Sequence, residues 1–207
     1  MAAIIFDFDG TLADTFETVL HILGELMGHE GPIDQAEVER LRGMSMMKAA
    51  EELRIKPWRM PFMVMRGRRK MSKRIDSIQV VPGMPEVIRK LQNEGHQLFI
   101  LSTNSVKNIE KFLVRHELIY AFARVYGNVG LLNKARIIKK VVKQNQLDPS
   151  ETWYVGDEVR DIIGAKHADI RIMAVTWGYN TPAILKKHEP TTLVDTPADI
   201  IRTLEEA

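Results

Sequence analysis

Two aspartates stand two residues apart in Asp7-Phe8-Asp9-Gly10-Thr11-Leu12, at the end of an apolar run of strand length, residues 2–8. Alternation along an extended chain puts Asp7 and Asp9 on one side and Phe8 on the other. Two carboxylates that close repel each other unless a cation or a shared proton relieves them. Either relief is useful chemically. One aspartate can serve as nucleophile and metal ligand while the other, partly protonated, serves as general acid. Gly10 permits close backbone approach, and the Thr11 hydroxyl can meet a phosphate. A strand-end turn with an aspartate cap is the plainer alternative.

Three further segments carry related chemistry. Ser102-Thr103-Asn104-Ser105 follows another apolar run and precedes a helical pattern. Hydroxyls and free N–H groups at such a place form an anion site, although Ser, Thr and Asn are also ordinary helix caps. Gly156-Asp157-Glu158-Val159-Arg160-Asp161 supplies hard oxygen donors suited to Mg²⁺. Asp157 and Asp161 are four residues apart, so both can face one centre. Lys134 is a candidate to neutralise a nucleophile and an incoming phosphate, but Lys139, Lys140 and Lys143 stand nearby and most lysines are simply solvated.

The elements that must position these residues follow from periodicity. From Pro82 onward helical and strand-like segments alternate. Helices are expected over residues 84–94, ended by Gly95, over 106–116, over 162–168, and after Pro197. Asn133 is expected to cap the helix carrying Ile137, Ile138, Val141 and Val142. Strands are expected over residues 97–102, 123–126, 152–156 and 170–176, and around Leu193. This alternation predicts an α/β fold, a Rossmann-like three-layer core with a parallel sheet between helices. Between Asp14 and about Gln79 strand-like segments vanish, and helical patterns occupy residues 15–27, 34–42 and 46–53. Asp14 with Glu17 reads as a capping box for the first. The expected organisation is therefore a core of residues 1–14 and 80–207 with an all-helical cap inserted at 15–79.

Composition bounds the class. The 207 residues are 45% hydrophobic and 27% charged, the range of a soluble globular protein. No apolar stretch approaches the roughly 18 residues of a membrane span, and no leader pattern opens the chain. Without cysteine there is no disulfide framework or thiolate site. A cytoplasmic location, with no membrane partner, is expected. Net charge is only +2, yet residues 54–79 hold nine Lys or Arg and one acid, Asp76. The densest part, residues 66–74, reads as a solvated helix face or as a surface for nucleic acid or an anionic substrate. Seven methionines from Met44 to Met71 suit core filling or a surface that repacks around a ligand.

The order Asp-x-Asp-Gly-Thr, Ser/Thr, Lys, Gly-Asp-x-x-x-Asp resembles the haloacid dehalogenase superfamily along nearly the whole chain. It is closest to the branch with a helical cap after the first motif, which includes phosphoglycolate phosphatase-like enzymes. Trp177-Gly178-Tyr179 also resembles that branch. The resemblance implies that Asp7 attacks phosphorus, and that Asp9 protonates the leaving alcohol and then activates water. It implies Mg²⁺ held by Asp7, the Asp9 carbonyl and Asp157, with Asp161 behind. Thr11, Ser102 or Thr103, Asn104 and Lys134 would hold the phosphoryl oxygens. Relatives that displace halide lack an acid at the position of Asp9, which favours phosphoryl chemistry. Leu41-Arg42-Gly43-Met44-Ser45 resembles a cap segment that reaches toward substrate, so Arg42 is a candidate for a carboxylate or second phosphate. The expected partner is a small phosphorylated metabolite, and the expected state a monomer or homodimer. Rival readings are a β-phosphoglucomutase-like transferase, a phosphonate hydrolase using Lys48 or Lys56, and a nucleic-acid-binding protein on a retired enzyme fold.

Overall fold

The computed structural model describes residues 1–28, 34–130 and 134–207. Its strands are β1 (Ala3–Phe6), β2 (Ala13–Asp14), β3 (Gln79–Val80), β4 (Gln97–Leu101), β5 (Arg124–Tyr126), β6 (Thr152–Gly156), β7 (Arg171–Val175) and β8 (Thr192–Val194). The helices are α1 (Phe16–Met27), α2 (Gln35–Arg42), α3 (Met46–Glu52), α4 (Met60–Ser72), α5 (Met84–Asn93), α6 (Val106–Arg115), α7 (Lys134–Gln144), α8 (Val159–His167), α9 (Pro182–Lys187) and α10 (Pro197–Glu205).

Six strands form one sheet in the order β5-β4-β1-β6-β7-β8, and every pair in it is parallel. A parallel sheet must be covered on both faces, and β1 shows the consequence directly. Its four residues are all buried, with Ile4 and Phe6 in one hydrophobic core and Ala3 and Ile5 in the other. The first core is closed by α5, α6 and α10 through residues such as Ile88, Phe112 and Ile200. The second is closed by α7, α8 and α9 through Ile138, Ile162 and Leu185. Three layers result.

β2 and β3 pair antiparallel, Ala13 opposite Val80 and Asp14 opposite Gln79. Between them the described residues form only helices, α1 to α4 and a short turn of 3-10 helix at Pro57–Arg59. Ile22 of α1 and Met71 of α4 are buried in the same core as Phe6. On the outer side Glu25 of α1 accepts from Lys70 and Arg74, each at 2.6 Å.

Some local expectations change. Asp14 is engaged in β2, and Thr15 precedes α1 without a side-chain cap, so the Asp14–Glu17 box does not form. Strand pairing has taken the residue that would have capped. Capping falls instead on Asp34 and Ser45, which accept from Glu37 N and Lys48 N. α8 begins at Val159 rather than Ile162, closed by a reciprocal box between Glu158 and Asp161. α4 and α9 were not singled out by apolar spacing. The expected Asn133 cap lies outside the described residues.

Candidate active site

Register brings the chemistry together. Phe6 of β1 is level with Ile100 of β4 and with Val155 of β6. Asp7, Ser102 and Asp157 are the first residues beyond β1, β4 and β6, three adjacent strands spaced about 4.8 Å apart. They stand at the carboxyl edge, beside the strand from which the order runs both ways, where ligands of open α/β sheets bind.

Asp7 is held on every side. Its N–H donates to Val155 O at 2.8 Å, its Oδ1 accepts from Phe8 N at 2.8 Å, and its Oδ2 accepts from Lys134 Nζ at 2.6 Å. Lys134 opens α7, is 4% exposed, and also meets Asp161 Oδ1. The other Asp161 oxygen accepts from Glu158 N at 3.0 Å. Asp157 accepts from Thr11 Oγ1 and from Tyr179 N, each at 2.7 Å. Carboxylate oxygens of Asp7, Asp157 and Asp161 all lie within 4.8 Å of one another.

Of the three buried carboxylates, Lys134 pairs with Asp7 and Asp161, and the protonation equilibria show the surplus of acid. Burial, then the charges of Glu158, Asp7 and Asp161, raise Asp157 well above the carboxylate range. Burial also lifts Asp161, against the pull of Lys134, to about 6. Burial works against the Lys134 ammonium, but Asp161 and Asp7 more than offset it and its pKa rises. A cluster of hard oxygen donors with surplus negative charge fits a divalent cation such as Mg²⁺.

Asp9 faces the other way. Asn104 Nδ2 donates to both of its oxygens at 3.2 Å, and Asn104 is fixed by Ser105 N at 2.8 Å and Asn108 Nδ2 at 2.9 Å. Burial, reinforced by the charge of Asp7, pushes Asp9 up to about 7. Ser102 is 1% exposed, continues the β4 ladder onto Tyr126 O, and accepts from Asn104 N at 3.0 Å, which leaves its hydroxyl proton free. Thr103 instead lines a cavity of about 180 Å³ together with Asp9, Asn104 and Arg68, walled by apolar residues of α1 and α4 such as Val19 and Val64.

Three sequence-predicted residues are engaged elsewhere: Asn104, expected on a phosphate, holds Asp9 through its amide and Ser102 through its N–H. The Thr11 hydroxyl, expected on a phosphate, donates to Asp157. Arg42, expected toward substrate, donates from Nε to Tyr179 O at 3.1 Å, from Nη2 to Gly178 O at 3.0 Å and from Nη1 to Glu39, with its guanidinium over the Phe16 ring. Main-chain carbonyls have occupied the fork that a carboxylate would use, so Arg42 fastens α2 to the sheet's edge.

Sequence reasoning missed the loop after β7 as a structural hub. A Cβ on Gly178 would lie 2.2–2.4 Å from the side chain of Asp157, and one on Gly10, at φ +79°, would meet Asp157 and Tyr179 at 2.5 Å. Only glycine lets these chains close on Asp157. Asn180 donates to Arg42 O and Met44 O and accepts from Val159 N, each at 2.9 Å. Trp177-Gly178-Tyr179 was noticed only as a resemblance, and nothing local marks the asparagine after it. The basic run also divides. Lys70 and Arg74 are spent on Glu25, Arg66 and Arg69 are exposed, and Arg68 reaches the cavity wall.

Comparison with known proteins accords with this geometry. A family model described as haloacid dehalogenase-like hydrolase matches residues 4–175. The chain is 34% identical over 206 residues to a phosphoglycolate phosphatase of Synechococcus elongatus, covering 99% of this chain and 97% of that one. It is 24% identical to a 5'-nucleotidase of Pseudomonas aeruginosa, over 91% of this chain and 88% of the relative. In fold it is similar to a haloacid dehalogenase-like hydrolase from Streptococcus pneumoniae, with a TM-score of 0.79 at 22% identity, over 98% of each chain.

Proposed function

The chain belongs to the haloacid dehalogenase-like hydrolase family and resembles its phosphoglycolate phosphatases, and from that premise we propose that it is a Mg²⁺-dependent phosphatase. It hydrolyses a small phosphomonoester, phosphoglycolate or a close analogue, through a phosphorylated Asp7. The supporting observation is the split between its carboxylates. Asp7 is buried against Lys134 with Asp157 and Asp161, while Asp9, with a pKa of about 7, faces a separate cavity.

Asp7, immobilised at both oxygens, is the nucleophile, and its attack splits one displacement into two. Asp9 gives its proton to the departing alkoxide and then takes one from the water that attacks the aspartyl-phosphate. A group of pKa about 7 is suited to both directions near neutral pH. Lys134 and the free Ser102 hydroxyl proton hold the phosphoryl oxygens. Asp7, Asp157 and the Asp9 carbonyl would hold Mg²⁺, with Asp161 behind, and the bound ion would supply charge neutralisation for the transferring phosphoryl group. Thr11 orients Asp157 for that task. Residues 15–79 act as a helical cap on a core of 1–14 and 80–207, and the cavity between them takes the leaving alcohol.

The test is phosphate release from a panel of phosphomonoesters with Mg²⁺. Asp7→Asn is expected to lower kcat by about 10⁴-fold or more, and chelation of the metal to abolish turnover. Full activity in Asp7→Asn, or no ester hydrolysed by the wild type, would sink the assignment.

A further inference from the structure

Protonation by Asp9 requires the leaving oxygen within hydrogen-bond reach of its carboxyl. The substituent on that oxygen must then extend into the cavity Asp9 lines. That cavity, about 180 Å³, is smaller than the roughly 300–1,000 Å³ of pockets for drug-sized ligands and matches a short alcohol. Its walls from α1 and α4 are apolar, with Arg68 as the only cation among the lining residues.

Arg68 differs from every other cation in the 66–74 run. Lys70 and Arg74 are paired with Glu25, and Arg66, Arg69 and Lys73 are exposed. Arg68 is half-buried and pairs with no carboxylate among the described residues. Its Nε donates to Thr103 O at 2.5 Å and its Nη2 to Val129 O at 3.2 Å. Asn108 Nδ2 donates back to the Arg68 carbonyl at 3.4 Å. The guanidinium is thus fixed along one edge by two neutral carbonyls, and its Nη1 end makes no hydrogen bond among the described residues. Burial lowers its pKa from the usual arginine value. A partly desolvated cation with no counter-ion among the described residues, lining the cavity that Asp9 also lines, is poised for an anion carried by the departing alcohol.

We propose that Arg68 is the specificity-determining residue of this site, binding a carboxylate on the leaving alcohol, so that the substrate is the phosphomonoester of a short hydroxy acid. This rests on the phosphatase reading above. It assigns to α4 the recognition that the sequence had suggested for Arg42, and it gives the basic run one functional member. A purely structural Arg68, which only docks α4 against Thr103 and Val129, would serve all substrates equally.

The measurement is kcat/KM for 2-phosphoglycolate and for its uncharged carboxamide, in wild type, Arg68→Met, Arg68→Lys and the exposed neighbour Arg66→Met. In Arg68→Met the acid-to-amide ratio is expected to fall about 10- to 100-fold, mainly through KM on the acid. Arg68→Lys, which keeps the charge and a donor if Met should impair folding, is expected between Met and wild type. Arg66→Met is expected to leave the ratio unchanged. Equal losses on both esters in the Arg68 variants would overturn the assignment. Failure of the phosphatase reading itself looks different: wild type then releases phosphate from neither ester, and the assignment falls with it.

Discussion

α5 and α6, which cover the sheet, each bury four residues, whereas α2, α3 and α4 of the helical insertion bury one apiece. The insertion also leaves Trp58 66%, Phe62 60% and Met65 61% exposed, side chains that would be interior in the core. Both carboxylate oxygens of Asp7 and of Asp157 accept hydrogen bonds, and three glycines nearby are hemmed by carboxylates. The insertion is held by the Glu25 network, the Arg42 and Asn180 contacts and the Arg68 contacts. Positions that create charge on a phosphoryl group tolerate no slack. Positions that select an alcohol need only reach it, and few buried contacts per helix leave them freer to diverge and to move.

The sharpest way to break this contrast is to delete one charge from each region. Lys134→Met strands the Asp7 and Asp161 carboxylates in the interior and is expected to cost about 3–5 kcal/mol. Glu25→Gln removes the centre of a solvent-screened network and is expected to cost far less. Denaturant titrations of both variants in metal-free buffer decide it. Similar costs would mean that the insertion is as tightly determined as the site.

Glycine substitutions sharpen the same point at smaller cost. Gly178→Ala drives a methyl into Asp157 and is expected to destabilise by about 1–3 kcal/mol while displacing that carboxylate from its place. Gly67→Ala, in α4, meets nothing nearer than Ile22 and Leu26 at 4.0 Å, and is expected to stabilise by about 0.5–1 kcal/mol through helix propensity. Opposite signs in thermal melts support the contrast, and a destabilised Gly67→Ala contradicts it.

The smallest effect is in the pH dependence, where the two regions have opposite signs. Asp9 at about 7 and Asp161 at about 6 lie above the ordinary aspartate value near 4. The folded state therefore binds the extra protons. Their contribution is full below about pH 4 and is lost as pH rises through 6 and 7. Glu25, lowered chiefly by its hydrogen bond from Lys70, contributes above its unfolded value and loses that as pH falls. In chelator, Tm is expected to decline between about pH 5 and 8, less so in Asp9→Asn, and Mg²⁺ to raise Tm more at pH 8 than at pH 5. A Tm that climbs over this window in chelator would contradict the crowding of acids described here.

The alternation of elements from Pro82 onward and the strand before Asp7 were legible because burial on both sheet faces and one-sided helix burial impose periods of a few residues. α4 was not legible, since its apolar positions are interleaved with Arg66, Arg68, Arg69 and Lys70. The Asp14–Glu17 box misled because local capping and strand pairing compete for the same residue, and the partner strand lies beyond residue 78.

The sequence by itself determined the parallel three-layer architecture and the set of acids at the ends of its first and sixth strands, because each is written in contiguous residues. Tertiary structure alone decided who faces whom: Lys134 on Asp7 across 127 residues, Arg42 on Tyr179 across 137, Thr11 on Asp157 across 146. It also brought Arg68, rather than its five basic neighbours, to the cavity that Asp9 lines. The physical reason is that a charge's role depends on what is buried beside it, and neighbours in space so far apart in the chain leave no local pattern.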